Sequence, residues 1–459
     1  MLSGCQRRSK ALIPDLLPPS NASLSAPAST DHHKAELLNE CFAFQCRSTD
    51  HPSSLPDLPE AVQHKPFTTL YTTPGDVYRV LSTLKPGKAP GLDGIPPQLL
   101  SSCAKGIATS LCLLFNRSFR EGVVPDDWKE ALVIPVYKKG DKALPSNYRP
   151  IALLSVVSKV LEKIVFAKLS KFLDPQLMSH QSGFRRHDGT HFQLVRLIQD
   201  WSNSMDAGQY VGVVFFDIQK AFDRVWLKGL LHKLQHHGVQ GTALQWFSSF
   251  VSGRCQRVAV GGAISKPLQL ESGVPQGAIL SPLLFLVYMN DIGHATSSAS
   301  VNLFADDTSF FTAAKSETDL QSHLQTAVTE LSEWFNKWAL KINQAKSALL
   351  ILCGRRRAVP SLSVAVNGSV IPQVDCHKHL GVHLQPHLTW SAHITATVNK
   401  ASSKIGLLRQ YRKHLPRLAM RSIYLACIRP SLEYASLAWG GMGPGMQKTL
   451  KELRGRLLV

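Results

Sequence analysis

The segment that most constrains the fold is 301–311, Val-Asn-Leu-Phe-Ala-Asp-Asp-Thr-Ser-Phe-Phe. Two short apolar, β-prone runs flank the adjacent acids Asp306 and Asp307, which predicts a hairpin with both carboxylates at its tight turn. Carboxylates that close repel each other, so a positive charge should lie beside them. Carboxylate oxygens favour a hard divalent cation in that place. For the pair taken alone, an ordinary solvated turn is the alternative.

A third acid follows a buried strand. Residues 210–216 form a nearly continuous apolar run, which is typical of such a strand, and the run ends at Asp217. If this strand and the hairpin lie side by side in one sheet, Asp217, Asp306 and Asp307 share an edge and can hold two divalent metals. Two metals a few Å apart serve phosphoryl transfer by polymerases and many nucleases.

The charge of the chain indicates a polyanionic partner. The 459 residues contain 51 Lys and Arg against 32 Asp and Glu, a net charge of +19. Nucleic acid is the first expectation, and ribosomal, chromatin or anionic-membrane surfaces are the alternatives. The nine cysteines form no CxxC pair, which favours a reducing compartment over a disulfide framework. No apolar stretch reaches the length of a membrane span, and no long apolar run follows Met1.

Periodicity divides the rest of the chain into elements. Residues 1–65 are rich in Ser, Pro and Ala and are interpreted as mostly disordered linker, with one helical island at 34–43. Helices are predicted at 73–84, 97–121, 155–172, 190–206, 221–234, 280–291, 316–338 (with Ser316 as N-cap) and from 391 onward. Strands are predicted at 128–137, 210–216, 347–353, 362–366 and around 379–382.

Three motifs carry a resemblance to a known family. Phe216-Asp217-Ile218-Gln219-Lys220-Ala221-Phe222-Asp223, then Gly273-Val274-Pro275-Gln276-Gly277 with Leu280-Ser281-Pro282, then Phe304-Ala305-Asp306-Asp307 resemble the reverse transcriptases of non-LTR (LINE-type) retrotransposons. Further blocks of that family follow in order at 85–94, 134–141, 147–154, 181–185, 340–346 and 379–382. The resemblance covers about residues 75–440.

The resemblance implies an α/β right-hand polymerase fold, with fingers, a palm built on an antiparallel sheet, and a helical thumb. Residues 66–116 would be an N-terminal extension of the fingers, 117–384 the catalytic domain of fingers and palm, and 385–459 a partial thumb. We expect no endonuclease, ribonuclease H domain or Cys/His knuckle in this chain.

The resemblance also implies a metal site. Asp217, Asp306 and Asp307 would be the palm carboxylates that hold two Mg²⁺ ions, which Mn²⁺ can replace. The backbone carbonyl of Ile218 would be an additional ligand. Asp223 is interpreted as structural, paired with a nearby base.

Nucleotide binding is implied for Lys138, Lys139, Arg149, Phe222, Gln276 and Lys346. Arg149 would bind the triphosphate bidentately, whereas the lysine pair is alternatively a solvated turn. The Phe222 ring would exclude a 2′-hydroxyl, or is a core aromatic. Lys346 would assist proton transfer to pyrophosphate, or caps a helix end.

Primer and template contacts are implied for Gly273, Gly277, His379 and Gly381. Glycines 273 and 277 would let backbone approach a base pair, although a plain helix-entry turn is the alternative. His379 stands where the family commonly has Tyr. The spacing of Cys376, His377, His379 and His383 fits no usual zinc site. Arg355–Arg357 and the basic segment 400–421 would contact phosphates. Trp334 and Trp338 are expected in the core, with stacking on bases as the alternative.

The function implied by the resemblance is RNA-directed DNA polymerisation. A primer 3′-hydroxyl would be extended with dNTPs on an RNA template, with RNA, a DNA primer or target, and dNTPs as partners and no membrane. The family works on nuclear DNA, which suggests the nucleus. A non-catalytic RNA-binding remnant of the element and a group II intron-type maturase are the alternatives, distinguished by primer extension and by activity on a structured intron.

Overall fold

The computed structural model describes residues 13–18, 26–47, 52–60 and 65–440. In this part of the chain the fold mixes helices and strands. The helices are α1 (Asp31–Gln45), α2 (Pro74–Ser82), α3 (Pro97–Ser102), α4 (Ala104–Glu121), α5 (Val156–Leu173), α6 (Thr190–Asp206), α7 (Leu227–His236), α8 (Gly241–Val251), α9 (Ser281–Met289), α10 (Glu317–Lys337), α11 (Ser391–Gln410), α12 (Arg417–Ile423), α13 (Arg429–Glu433) and α14 (Ser436–Trp439). A π-helical stretch, Tyr424–Ile428, joins α12 to α13.

The strands are mostly short. They are β1 (Glu130–Tyr137), β2 (Tyr148–Leu153), β3 (Tyr210–Phe216), β4 (Cys255–Val260), β5 (Ala263–Ile264), β6 (Leu268–Gln269), β7 (Ser300–Phe304), β8 (Asp307–Ala314), β9 (Ala348–Leu352), β10 (Ala365–Val366), β11 (Ser369–Val370), β12 (His377–His379) and β13 (Val382–Leu384). The chain divides into two compact units. Unit 1 comprises Met1–Leu177, Gln219–Asp291 and Asn336–Lys341, and unit 2 comprises Met178–Ile218, Ile292–Phe335 and Ile342–Val459.

The sheet of unit 1 has the order β2-β1-β4-β5, and β6 also pairs with β4. Strands β1 and β2 form an antiparallel hairpin, whereas β1 and β4 run parallel. Helix α1 covers this sheet, because Leu38 and Phe42 pack in one core cluster with Val133 and Val258.

Helix α1 confirms the helical island predicted at 34–43 and is longer than predicted. Over 26–47 the chain is ordered against the sheet, and Thr30 caps the helix by accepting a hydrogen bond from His33 N. The apolar positions of α1 follow the helical period only weakly, which hid this packing from the sequence pattern. Parts of the predicted linker and thumb regions lie outside the described residues. These parts are 1–12, 19–25, 48–51, 61–64 and 441–459.

The sheet of unit 2 is antiparallel and has the order β7-β8-β3-β9. Strand β3 lies inside it, and Val211, Val213 and Val214 are fully buried. Helix α6 packs Leu197 and Trp201 against this strand. Helix α10 approaches closely at Gly212, where a Cβ atom would lie 2.5 Å from Leu324 Cδ1. A buried, uninterrupted apolar run therefore fixes the position of Asp217, the next residue.

Several predicted elements are confirmed. Strand β3 and helix α6 have the predicted bounds. Ser316 caps α10, because its Oγ accepts a hydrogen bond from Asp319 N. Trp334 and Trp338 are both buried, as expected of core residues.

Two predicted elements are wrong in extent. The helix predicted over 221–234 begins only at Leu227. The residues before it form turns, in which Lys220 has a φ of 50° that no α-helix accepts. The strand predicted over 362–366 is reduced to Ala365–Val366. Across the described ranges, no helix is both long and apolar enough to traverse a lipid bilayer.

Candidate active site

The three predicted carboxylates lie at one edge of the unit 2 sheet. Phe216, the last residue of β3, pairs with Thr308 of β8, so Asp217 and Asp307 are the next residues on two adjacent strands. In neighbouring antiparallel strands the Cα atoms of directly opposite residues lie about 5 Å apart. The β7–β8 turn adds Asp306 to the same edge. We call Asp217, Asp306 and Asp307 the acidic edge.

The hairpin turn lies one residue earlier in the sequence than the predicted turn, which had Asp306 and Asp307 at its centre. Phe304 pairs with Asp307, so the two central residues are Ala305 and Asp306. Ala305 has a φ of 58°, the positive value that tight hairpin turns require at their first central position. Both Asp306 and Asp307 are exposed.

The segment before β9 holds Asp217. Asn343 donates twice to this residue, from N to the main-chain oxygen at 2.7 Å and from Nδ2 to Oδ2 at 3.0 Å. Lys346 Nζ lies 3.4 Å from the same Oδ2. Both charged side chains are about half exposed, so this ion pair contributes little to stability. Lys346 therefore lies beside the acidic edge, and its nucleotide role stays a prediction, whereas the contact of Asn343 with Asp217 was missed.

The electrostatics of the acidic edge favour a cation. Desolvation by the surrounding protein, followed by the nearby carboxylates of Asp306 and Asp217, raises the pKa of Asp307 to about 6. Carboxylates and a free carbonyl are the hard oxygen donors that Mg²⁺ prefers. Within the described ranges, however, no three Asp, Glu, His or Cys side chains are already arranged to hold a metal ion. The donor set fits a divalent cation chemically, and of its three carboxylates that of Asp217 is the one held by Asn343 and Lys346.

The backbone carbonyl of Ile218 is placed by a bridge to Ile342. Ile218 bridges to Ile342, but the flanking hydrogen bonds use Asn343 N to Asp217 O and Gln219 N to Lys341 O. In such a bridge the carbonyl of the central residue points away from its partner strand. The arrangement is compatible with the ligand role expected of this atom.

Unit 1 holds the predicted cations on one hairpin. Arg149 of β2 pairs with Val136 of β1, and Lys138 N bonds Asn147 O just beyond the end of this ladder. Lys138, Lys139 and Arg149 are all exposed. We call these three residues the basic hairpin.

Unit 1 also joins Phe222 to the glycine loop, residues 273–277. Val274 N donates to Phe222 O at 2.8 Å, and the Phe222 ring stacks on Phe285 with 4.7 Å between centroids. Gly273 has a φ of 91°, and a Cβ there would lie 2.7 Å from Asp223 O. Gly277 has a φ of 137°, and its Cβ would lie 2.3 Å from Ala152 O. Both glycines are therefore required by close backbone contacts inside the protein.

Asp223 orients the predicted nucleotide-binding residue Gln276. Gln276 Nε2 donates to Asp223 Oδ1 at 2.8 Å. Burial raises the pKa of Asp223 to about 6. Its Oδ2 has no hydrogen-bond partner among the described residues. The partner is thus an amide, where the sequence suggested a base.

His379 differs from what its predicted primer contact requires. The side chain is 5% exposed, its ring lies 5.0 Å from that of Phe215, and burial lowers its pKa to about 3. The imidazole is therefore a neutral core group. At the turn of this β12–β13 hairpin, Gly381 is exposed and has a φ of 86°, and Tyr434 Oη donates to Leu380 O at 2.8 Å.

Sequence reasoning also missed Gln181, which is buried beside the β7–β8 turn and accepts a hydrogen bond from Ala305 N. The segment 181–185 was noted as a block resembling the family, without a role for Gln181. An adjacent glycine, Gly183, is the one sequence signal of a close backbone approach.

Comparisons with known proteins identify the family of the chain. A family model described as reverse transcriptase (RNA-dependent DNA polymerase) matches residues 136–384. The RNA-directed DNA polymerase from mobile element jockey of Drosophila funebris is 30% identical over 378 residues, which cover 80% of this chain and 41% of the relative. A Drosophila melanogaster protein named "Probable RNA-directed DNA polymerase from transposon BS" is 28% identical over 402 residues, covering 83% and 44%.

The chain therefore spans less than half the length of these curated relatives. Among solved structures, apo telomerase from Candida tropicalis truncated from the C-terminal domain gives a TM-score of 0.39 at 15% identity, covering 58% of this chain and 55% of that one. A similarity of that size supports no argument about function. The family model and the mobile-element relatives show that the chain belongs to the reverse transcriptase family, in its non-LTR (LINE-type) branch.

Proposed function

We propose that this chain is an RNA-directed DNA polymerase of a non-LTR retrotransposon. It would extend the 3′-hydroxyl of a DNA primer with dNTPs, copying an RNA template. The observation that carries this proposal is the acidic edge, three carboxylates on adjacent strands of one antiparallel sheet in a chain of the reverse transcriptase family. The net charge of +19 supports a nucleic-acid partner.

In this proposal the unit 2 sheet is the palm. The basic hairpin belongs to the fingers. Helices α2, α3 and most of α4 form their N-terminal extension, and helices α11–α14 form a partial thumb. The proposed boundaries remain 66–116, 117–384 and 385–459.

The acidic edge and the Ile218 carbonyl would hold two Mg²⁺ ions. Bound there, the ions would activate the primer hydroxyl and neutralise the charge on the leaving pyrophosphate. Asn343 keeps the Asp217 carboxylate in place through its hydrogen bond at 3.0 Å. Lys346 Nζ is a proton donor next to the same carboxylate, and would protonate the pyrophosphate as it leaves.

Substrate selection would fall to unit 1. The basic hairpin offers Arg149, whose planar guanidinium binds phosphate oxygens bidentately, and two lysines as point charges. The Phe222 ring, held against Phe285, would exclude a 2′-hydroxyl. Gln276, fixed by Asp223, would contact the nascent base pair. Because His379 is buried, its side chain would support the hairpin and would not contact the primer. The backbone of Leu380 and Gly381 would contact the primer instead.

The test is primer extension on an RNA template with purified protein. Asp306→Asn should abolish dNTP incorporation and leave RNA binding within about twofold, because binding depends on the basic surface and not on one carboxylate. Asp375→Asn, a change to an exposed acid of the same unit, is the matched control and should keep full activity.

Chelation and the alternatives are read in the same assay. Removal of divalent cation with EDTA should stop extension, and Mg²⁺ should restore it. Wild-type protein that binds RNA but gives no product at any Mg²⁺ concentration would favour the RNA-binding remnant. An Asp306→Asn variant as active as wild type would refute the role given to the acidic edge.

A further inference from the structure

A short segment supports the catalytic hairpin from outside the sheet. Leu303 N donates to His180 O and Ser182 N donates to Leu303 O, both at 3.0 Å. Gln181 thereby forms a parallel bridge with Leu303 on the edge of β7 that does not face β8. Residues 180–183 extend the sheet at the point where the acidic turn leaves it. We call them the supporting segment.

The side chain of Gln181 reaches the turn itself. Its Oε1 accepts hydrogen bonds from Ala305 N at 3.1 Å and from Gly183 N at 2.9 Å. The residue is 1% exposed, so water does not compete for these bonds. One buried acceptor therefore ties the supporting segment to the residue that precedes Asp306.

The bond to Ala305 acts at a strained position. A residue with a Cβ atom loses free energy in the left-handed region, where Ala305 lies with a φ of 58°. If the N–H of Ala305 lost its partner, another backbone conformation of the turn would become lower in free energy. Relaxation would move Asp306 and Asp307 relative to Asp217, which is held separately by Asn343.

Gly183 shows how closely the two backbones are packed. A Cβ atom there would lie 2.3 Å from Ala305 N and 2.9 Å from Phe304 C. Both are main-chain atoms, so no flexible side chain can move aside. Glycine is thus required for the supporting segment to contact the turn directly.

The supporting segment is itself anchored to helix α6. Arg196 donates from Nη2 to Ser182 Oγ at 2.5 Å and pairs with Asp188 at 2.9 Å. His180 and Asn302 add a side-chain contact at 3.2 Å. The supporting segment is therefore held both by strand β7 and, through Arg196, by helix α6 outside the hairpin.

We propose that Gln181 is a positioning residue for the acidic edge. It fixes Ala305 N–H, and through it the separation of Asp306 and Asp307 from Asp217 on which cation binding depends. This inference rests on the proposed function, but it concerns the geometry of the carboxylates and can be read without polymerisation.

The decisive variant is Gln181→Met, which keeps length and volume but removes the acceptor. We expect Mn²⁺ affinity, measured by calorimetry, to fall by about tenfold or more, as it does when groups that orient metal ligands are removed. We expect kcat for dNTP incorporation to fall by about tenfold to a hundredfold, with a higher Mg²⁺ half-saturation and little change in the KM for dNTP.

Two further variants separate positioning from general packing. Gln181→Glu retains an acceptor at the same place and should recover most of the Mn²⁺ affinity. Gln193→Met is the matched control, since Gln193 is fully buried in the same unit with neither side-chain polar atom bonded among the described residues. It should leave Mn²⁺ affinity unchanged.

The outcomes decide the inference in each case. Gln181→Met with wild-type Mn²⁺ affinity and Mg²⁺ dependence would overturn it, as would an equal loss in Gln193→Met. If Gln181→Met does not fold, Gly183→Ala replaces it, because its Cβ pushes on the same turn and should raise the Mg²⁺ half-saturation. An inactive wild-type chain would count against the proposed function alone, and Mn²⁺ affinity would then decide the role of Gln181.

Discussion

Replacement of Asp223 by Asn should make the protein more stable and the polymerase less active. Burial raises the pKa of Asp223 from 3.8 to about 6. One pKa unit corresponds to about 1.4 kcal/mol, so the ionised carboxylate costs about 3 kcal/mol at pH 7. Asn carries no charge, keeps an acceptor for Gln276 Nε2, and can turn its amide into the adjoining cavity of about 40 Å³.

The sign of the pH dependence follows from the raised pKa. The folded chain binds this proton more tightly than the unfolded chain, so the contribution of Asp223 to stability is lost as the pH rises from about 4 to 6. Relative to wild type, Asp223→Asn should gain about 1–3 kcal/mol at pH 7 and less than about 1 kcal/mol at pH 4.5. The range allows for an amide that is only partly hydrogen-bonded in its buried site.

Urea unfolding at pH 7, 6, 5 and 4.5 measures this difference, with Asp57→Asn, an exposed acid of the same unit, as the control. Primer extension completes the assay. Charge-assisted hydrogen bonds are about twice as strong as neutral ones, so Gln276 should be held less firmly and dNTP incorporation should decrease. A stability difference that is constant across the pH series would refute the assignment of the penalty to a buried charge.

Three further changes test other parts of the molecule. Gly277→Ala should destabilise unit 1 by about 2 kcal/mol or more in urea unfolding, because φ is 137° and the new Cβ would lie 2.3 Å from Ala152 O; Gly87→Ala, with no atom near its Cβ, should not. Lys346→Met should leave the unfolding midpoint unchanged and lower the rate of dNTP incorporation by about a hundredfold, as expected for loss of a proton donor; equal rates would remove Lys346 from the mechanism. His379→Phe should reduce acid sensitivity, since a pKa of about 3 means that stability is lost as the pH falls below about 6.5, by about 3 kcal/mol at pH 4.5; a pH profile identical to wild type in urea unfolding would contradict this.

The elements that bury an apolar run were predictable from the sequence. Strand β3 has the predicted bounds because every residue from Val211 to Phe216 is buried, so the strand appears in the sequence as one continuous apolar run. The hairpin was predictable for the same reason, since β7 and β8 flank a short polar break. Because Asp217 directly follows β3 and Asp307 begins β8, the acidic edge followed from local sequence once these two strands were assumed to be neighbours.

Other features depend on contacts distant in sequence. Ala221, Phe222 and Val225 have helical spacing, yet the loop around them is fastened to the glycine loop and forms turns. The polar residues around His379 are typical of a surface turn, yet its ring is buried against Phe215 of strand β3. Gln181 acts on a backbone amide 124 residues away, and no local pattern reports such a contact.

Helix α1 has a practical consequence for anyone who shortens this protein. The family match begins at residue 136, but β1, which carries Val133, begins before it, and α1 lies earlier still. A protein trimmed to the matched region would lack helix α1, and the apolar side chains of Tyr148 and Val258 that this helix covers would be exposed to water. Such surfaces self-associate, so the trimmed form should precipitate or pair with itself, and its inactivity would say nothing about the carboxylates.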